Sequence, residues 1–173
     1  MNRNKTVLFL WSFLLAQLLA GCAGYQLGPT NGRVAGGKSI QINPFASKVI
    51  EPRLSETVTA SVRKQLQQDG TFKLDTRNEG DIIVTGTITR YDRDQLSFQR
   101  GDVITPRDYG LAITANVNAR ERGSGKVVLD RNVVGRTTIR VGNDLTSAER
   151  QAVPLAAEDL ARSITSLLVD GEW

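Results

Sequence analysis

Two segments of the chain place apolar residues at the three- and four-residue spacing of an amphipathic helix. The first begins near Pro52, stops at Asp69-Gly70 and carries its apolar stripe at Leu54, Val58, Val62 and Leu66. The second opens on a candidate capping box, Thr146-Ser147-Ala148-Glu149, and carries Ala152, Leu155, Ala156, Leu160, Ile164, Leu167 and Leu168. Pro154 either kinks this helix or divides it into two segments. Each pattern predicts a helix with one buried face.

Other segments alternate apolar and polar residues, which is the pattern of half-buried strands. The turn Gly123-Ser124-Gly125 joins the last two of these segments into a hairpin. Asp92 and Asp94 lie among arginines and are expected in a turn. Strands are predicted at residues 40–45, 72–74, 81–91, 109–121 and 126–141.

An α+β two-layer sandwich accommodates all of these apolar stripes. In this fold, two helices pack on one face of a mixed, mostly antiparallel sheet of about four strands. The opposite face is polar and carries Thr85, Thr87, Thr89, Thr114, Asn116, Asn118, Asn132, Arg136 and Thr138. The simplest interpretation is a face exposed to water. The alternative is contact with a polar or anionic partner, such as the lumen of an outer-membrane barrel or a phosphorylated glycolipid.

The beginning of the chain has the pattern of an export signal. Arg3 and Lys5 precede a mostly apolar run over residues 6–20, which is short for a membrane span. The run ends at Leu19-Ala20-Gly21-Cys22, where small residues before the only cysteine match the lipobox of bacterial lipoproteins. We therefore expect a signal peptide over residues 1–21 and a covalent lipid on Cys22. An ordinary buried cysteine is the alternative.

The residue after Cys22 bears on the destination of such a lipoprotein. Ala23 stands there instead of Asp, which in lipoproteins of the enterobacterial type indicates transfer to the outer membrane. We therefore expect a lipid-anchored domain at the outer membrane that faces the periplasm. Two or three acyl chains would give stable attachment, since each buried CH₂ contributes roughly 0.8 kcal/mol.

Residues 22–38 are rich in glycine, as in a flexible tether, and residues 39–173 are expected to form one domain. The tether contains GRVAGGKS at residues 32–39, which matches the G-x-x-x-x-G-K-S pattern of phosphate-binding loops. Those loops follow a buried strand and open a helix, because the helix N-terminus contacts the phosphate. This segment follows no predicted strand and leads into the alternating residues 40–45, so nucleotide binding is not expected.

The composition makes catalysis, metal binding and nucleic-acid binding poor interpretations. The 173 residues include no histidine, so the commonest general base and metal ligand is missing. The acidic pairs Asp92 with Asp94 and Glu158 with Asp159 are interpreted as solvated surface charge, so no catalytic residue, metal site or further cofactor is expected. Removing residues 1–21 takes away Arg3 and Lys5 from a formal charge of +4 and leaves +2, which does not suggest a nucleic-acid-binding protein.

One cationic stripe lies near the last predicted strand. Arg131, Arg136 and Arg140 have only Asp130 among them, and Arg136 and Arg140 share strand parity. In the preceding segment, four arginines are matched by four aspartates, namely Arg90, Arg93, Arg100 and Arg107 with Asp92, Asp94, Asp102 and Asp108. Arg136 and Arg140 are therefore candidates for contact with an anionic ligand.

Several segments, in their order and spacing, resemble the LptE family of outer-membrane lipoproteins of lipopolysaccharide assembly. The resemblance is carried by LAGCAGYQL from Leu19, LSETVTASVRKQLQQDG, IIVTGTI, DYGLAITANVNARE and AAEDLARSITSLL. It spans nearly all of the mature chain. It implies a non-enzymatic sandwich that plugs the lumen of the LptD barrel, helps that barrel to fold, and touches lipopolysaccharide during transfer to the cell surface.

The resemblance also implies lipopolysaccharide contacts by basic residues near one end of the domain. One such residue precedes a glycine in the loop before the long central strand, where Arg100-Gly101 fits. The other precedes the last helix, where this chain offers Arg140. The alternative function is a lipoprotein that activates a cell-wall synthase or serves another secretion pore, since a strand followed by a long helix also occurs in such domains.

Overall fold

Both predicted helices and all of the predicted strand regions are found in the structure, a computed structural model that describes residues 36–99, 101–140 and 144–171. The described elements are β1 (Ser39–Ile42), β2 (Ala46–Ser47), α1 (Leu54–Asp69), β3 (Lys73–Asp75), β4 (Ile82–Gln99), β5 (Asp102–Glu121), β6 (Val127–Arg140) and α2 (Leu145–Val169). They form an α+β two-layer sandwich, as the sequence predicted.

The strands form one mixed sheet in the order β3-β1-β4-β5-β6, with β2 also paired to β4. β1 runs parallel to β3 and β4, whereas β4, β5 and β6 pair antiparallel. The sheet has six strands instead of about four. Part of the difference arises because Pro44 divides the predicted strand 40–45 into β1 and β2, since proline has no N–H to donate to a ladder.

The two helices cover the same face of the sheet. α1 contacts β1, β2 and β3, and α2 contacts β6, β5 and α1. The strands direct alternate side chains into this layer, and the largest fully buried ones include Ile40, Ile82, Ile88, Leu111, Ile113, Leu54, Leu66, Leu160 and Ile164. Burial of this continuous apolar layer is the main stabilising contribution that the fold offers.

Glycine is required at two points of close approach in this layer. A Cβ atom on Gly135 of β6 would lie 2.3 Å from the carbonyl oxygen of Ala156 and 2.4 Å from the nitrogen of Leu160. A Cβ atom on Gly86 of β4 would lie 2.1 Å from the ring of Phe45. The backbone of α2 therefore rests directly on β6, which fixes its position over the sheet.

The start of α2 differs from the predicted capping box. Asp144 is the N-cap, and its carboxylate accepts hydrogen bonds from the N–H groups of Thr146 at 3.0 Å and Ser147 at 3.2 Å. A cap at Asp144 leaves Glu149 free for contacts with β4. Pro154 lies within one continuous helix, so the chain is not divided into two segments there.

β4 and β5 continue past the end of β6 as a two-stranded extension, which we call the arm and define as residues 95–99 and 101–108. β6 ends at Arg140, which lies opposite Asp108. The pairing of β4 with β5 is irregular in the arm, with register shifts after Gln95, Ser97 and Phe98. Among the described residues, the arm is therefore a bulged hairpin without a third strand.

The prediction of a turn at Asp92 and Asp94 is wrong. Both residues lie inside β4, opposite Ala112 and Gly110 of β5. The segment from Arg90 to Asp94 carries four charges in five residues. It therefore lacks the alternation of apolar and polar residues that predicts a strand. Asp92 and Asp94 are compatible with a strand here because they lie on the uncovered face of the sheet.

Candidate partner-binding surface

The uncovered face of the sheet has an uncharged polar centre. Thr85 lies opposite Asn118, and Thr87 lies opposite Asn116, which in turn lies opposite Asn132. The Asn116 side-chain amide donates a hydrogen bond of 3.2 Å to Oδ1 of Asn132, and the Thr85 hydroxyl donates one of 3.3 Å to the Asn118 carbonyl oxygen. The register thus brings together the threonine and asparagine residues that the sequence placed on one surface. We call this surface the polar face.

The structure places the two strand arginines on the polar face but in different surroundings. Arg136 lies opposite Ala112, and Arg140 lies opposite Asp108. The guanidinium Nε of Arg140 is 3.1 Å from Oδ1 of Asp108, so its charge is paired. Within residues 36–99, 101–140 and 144–171, no ion pair engages the side chain of Arg136. Arg136 is therefore the more available cation for an anionic ligand.

Arg131, the third member of the cationic stripe, has the opposite strand parity. It lies opposite Val117, whose side chain is buried beneath the helices. Its exposed side chain therefore belongs to the helix-covered side of β6 instead of the polar face. The sequence stripe is thus divided between two faces of the sheet.

Asp108 connects three strands at the base of the arm. Its carboxylate accepts a hydrogen bond of 2.7 Å from the Ser97 hydroxyl of β4 and one of 3.1 Å from Arg140 of β6. These contacts, first that of Ser97 and then that of Arg140, lower the pKa of Asp108 against the smaller opposing effect of desolvation. We call Ser97, Asp108 and Arg140 the strand brace.

Glu149 connects α2 to β4 close to the same place. It accepts hydrogen bonds from the Tyr91 hydroxyl and, at 3.0 Å, from Nη1 of Arg93. Burial, followed by the hydrogen bond to Glu149, raises the pKa of the Tyr91 hydroxyl, so this group stays protonated and donates. We call Tyr91, Arg93 and Glu149 the helix brace. Sequence reasoning missed both braces because their members are far apart in the chain.

A cavity of about 640 Å³ lies where the N-terminal turns of the two helices meet. Its lining includes Arg53, Thr57, Glu149, Arg150, Val153 and Pro154. α1 begins here with Arg53 in the left-handed conformation and without a side-chain cap. The lining mixes both signs of charge with apolar surface and contains no nucleophile paired with a base.

The described residues hold no group of acidic, histidine or cysteine side chains arranged to bind a metal ion. None of the helices in the described ranges is long and apolar enough to span a bilayer. Cys22 and Arg100 lie outside the described residues, as do residues 32–35 of the GRVAGGKS segment. Ser39, at the end of that segment, begins β1 instead of a helix, in line with the alternation seen in residues 40–45.

Solved structures with the same two-layer arrangement place the chain in a class of small α+β domains. A Xanthomonas campestris protein of family DUF330 is 12% identical, with a TM-score of 0.59 over 84% of this chain and 92% of that one. A minor lipoprotein from Acinetobacter baumannii is 14% identical, with a TM-score of 0.52 over 77% and 93%. A hypothetical protein from Chlamydia trachomatis is 6% identical, with a TM-score of 0.52 over 77% and 98%. At these identities the likeness is one of fold.

The particular family follows from the sequence. Residues 37–168 match the model of the LptE family, described as lipopolysaccharide-assembly. The chain therefore belongs to the LptE family, which confirms the resemblance carried by its motifs. No curated protein sequence matches the chain at a significant level.

Proposed function

We propose that this chain is an outer-membrane lipoprotein, held by lipid on Cys22, that plugs and helps to assemble an LptD-like β-barrel and aids transfer of lipopolysaccharide to the cell surface. Its role is non-enzymatic, and its partners are the barrel and lipopolysaccharide. Membership in the LptE lipopolysaccharide-assembly family is the observation that carries this proposal.

The chemistry of the polar face supports a barrel lumen as its binding partner. The interior of a transmembrane barrel is polar, since lipid-facing and lumen-facing residues alternate along each strand. The threonine and asparagine side chains at the centre of this surface are uncharged and can exchange hydrogen bonds with such a lining. The apolar side of the same sheet is already covered by α1 and α2, so the polar face is the side of the sheet that is left for a partner.

A lipid anchor would favour this complex through local concentration. A chain held at the membrane by residues 22–38 searches for a barrel in the same membrane, so encounter becomes effectively intramolecular. The anchor therefore contributes to assembly without forming any contact with the barrel.

Site-specific crosslinking from membranes tests the barrel partnership. A photo-crosslinking side chain in place of Asn116 should capture a large β-barrel, because Asn116 lies at the centre of the polar face. The matched control places the same group at Gln68, an exposed residue of α1. Capture of a cell-wall synthase or a different secretion pore from Asn116 would instead support the alternative function.

Charge reversal tests the proposed lipopolysaccharide contact. Arg136→Glu should weaken binding of purified lipopolysaccharide by several-fold, because a free guanidinium on the polar face can pair with phosphate. Arg131→Glu is the control, since it makes the same change on the same strand but on the other side of the sheet. Equal binding isotherms for the two variants would remove Arg136 from the site, and Arg100→Glu and Arg140→Glu would then test the two remaining candidates.

A further inference from the structure

The arm lacks the supports that hold the rest of β4 and β5. The described part of β6 ends opposite Asp108, and the hydrogen bonds between α2 and β4 are made at Tyr91 and Arg93, before the arm begins. The β4 to β5 ladder shifts register three times within a few residues there. A two-stranded hairpin is marginally stable in water by itself, and bulges let a strand bend. The direction of the arm must therefore be set by other contacts.

The two braces supply contacts of this kind. The helix brace ties β4 to α2 just before the arm, and the strand brace ties its two strands to β6. The side chain of Glu149 is only 13% exposed and that of Asp108 only 19% exposed, although the arginines that pair with them reach into solvent. A carboxylate shielded from water in this way is costly unless its hydrogen-bond partners stay in place. Each brace therefore favours the one geometry that keeps these bonds.

The braces differ from an ordinary surface ion pair in the same protein. Lys64 of α1 and Glu158 of α2 also form a pair, at 3.2 Å, but their side chains are 61% and 45% exposed. An exposed pair of this type constrains the geometry little, because water replaces either partner at small cost. The pair therefore offers a matched control on α2, the same helix that carries Glu149.

We propose that the helix brace and the strand brace preorganise the arm for its partner, with Glu149 and Asp108 as positioning residues. This inference rests on the proposed function, in which the partner is an LptD-like barrel. A hairpin that is already held in line with the sheet loses little conformational freedom when it enters the barrel. A loose hairpin has to be ordered during binding, which weakens association.

Hydrogen exchange on the full chain in detergent micelles tests the first half of the proposal. Glu149→Ala and Asp108→Ala should each accelerate exchange at residues 95–99 by about ten-fold or more, because local opening of the arm becomes easier. Exchange in β6 at residues 129–135 should stay unchanged. Glu158→Ala should leave both regions as in the wild type. Unchanged exchange in the arm of both brace variants would overturn the proposal.

Competition for the barrel tests the second half. When wild-type and variant chains are co-expressed with an LptD-like barrel, mass spectrometry of the purified complex gives the ratio in which they are incorporated. Glu149→Ala should be under-represented by about ten-fold, whereas Glu158→Ala should be incorporated equally. The double variant Arg93→Glu with Glu149→Arg restores the ion pair in reverse and should regain incorporation.

The outcomes separate this inference from the proposed function. Equal incorporation of a Glu149→Ala chain whose arm exchanges faster would overturn preorganisation and leave the barrel partnership intact. Failure of the charge-reversed double variant to regain incorporation would also count against positioning by the ion pair. Recovery of no barrel with the wild-type chain would overturn the proposed function itself.

Discussion

The body of the antiparallel sheet and the arm consist of the same two strands but are held by different interactions. In the body, β4 and β5 lie beside further strands and beneath helices, with Ile113, Ala115 and Val117 fully buried. In the arm, Leu96 and Phe98 are 56% and 46% exposed, Ser97 bonds to Asp108 across the hairpin, and Asp108 bonds to Arg140 of β6. The same two strands are thus held by apolar burial in the body and by polar contacts in the arm.

Different interactions therefore determine the free energy of unfolding of the domain and the geometry of the arm. Apolar burial scales with the area removed from water and is insensitive to charge, so the body should resist changes in pH. Polar contacts depend on protonation and on each partner, so the arm should loosen in conditions that leave the body folded. The body thus supplies the stability of the domain, whereas the braces set the geometry of the arm.

The largest effect is expected from the close approach between α2 and β6. Gly135→Ala should destabilise the domain by about 3 kcal/mol, because the new Cβ would meet helix backbone atoms that cannot move independently. Denaturant unfolding of the full chain measures the change. Gly123→Ala is the control, since a Cβ at Gly123 meets no atom within 4 Å. Equal unfolding midpoints for the two variants would contradict the packing described for α2.

A smaller effect is expected from a methylene group deleted from the body. Ile113→Val should lower the free energy of unfolding by about 1 kcal/mol, because the residue is fully buried. Leu96→Val deletes a methylene group from the arm and should change the free energy by less than about 0.5 kcal/mol. A larger loss from the arm variant would show that the arm contributes to the apolar core.

The smallest effect on global stability is expected from protonation of Asp108 in acid. This protonation should nevertheless loosen the arm locally. The pKa of Asp108 is lowered by Ser97 and Arg140, so ionised Asp108 stabilises the folded arm. That contribution is complete above the ordinary pKa of aspartate and is lost as the pH falls through the lower folded value. Amide resonances of residues 95–99 should therefore shift in acid before those of β6. In the Asp108→Asn variant the arm should already be loosened at neutral pH. If the amide resonances of residues 95–99 in this variant still shift in acid, the shift belongs to a group other than Asp108.

The sequence predicted the body well because its elements follow a single rule. The odd positions from Tyr109 to Ala119 are all apolar or aromatic, and the alternation of β5 and β6 places Asn116 and Asn132 on the uncovered face, where the register brings them together. The stripe from Leu54 to Leu66 likewise gives the buried side of α1. Local periodicity decides these features, since each strand or helix buries one face.

The arm and its braces were not predicted, for physical reasons. Charges at Arg90, Asp92, Arg93 and Asp94 resemble those of a turn, although this segment pairs with β5 as part of β4. Thr146-Ser147-Ala148-Glu149 fits a capping box, but Asp144 caps the helix and Glu149 contacts Tyr91 instead. Contacts across the fold decide these positions, and a single sequence carries no local signal of them.

The position of β1 has a mechanical consequence. β1 lies between β3 and β4, parallel to both, and the chain enters it directly from the predicted tether. In the proposed lipid-anchored state, tension on that tether would reach the domain through β1, which is hydrogen-bonded on both of its sides. The proposed anchor could therefore withdraw β1 from the sheet only by breaking two ladders, one to β3 and one to β4.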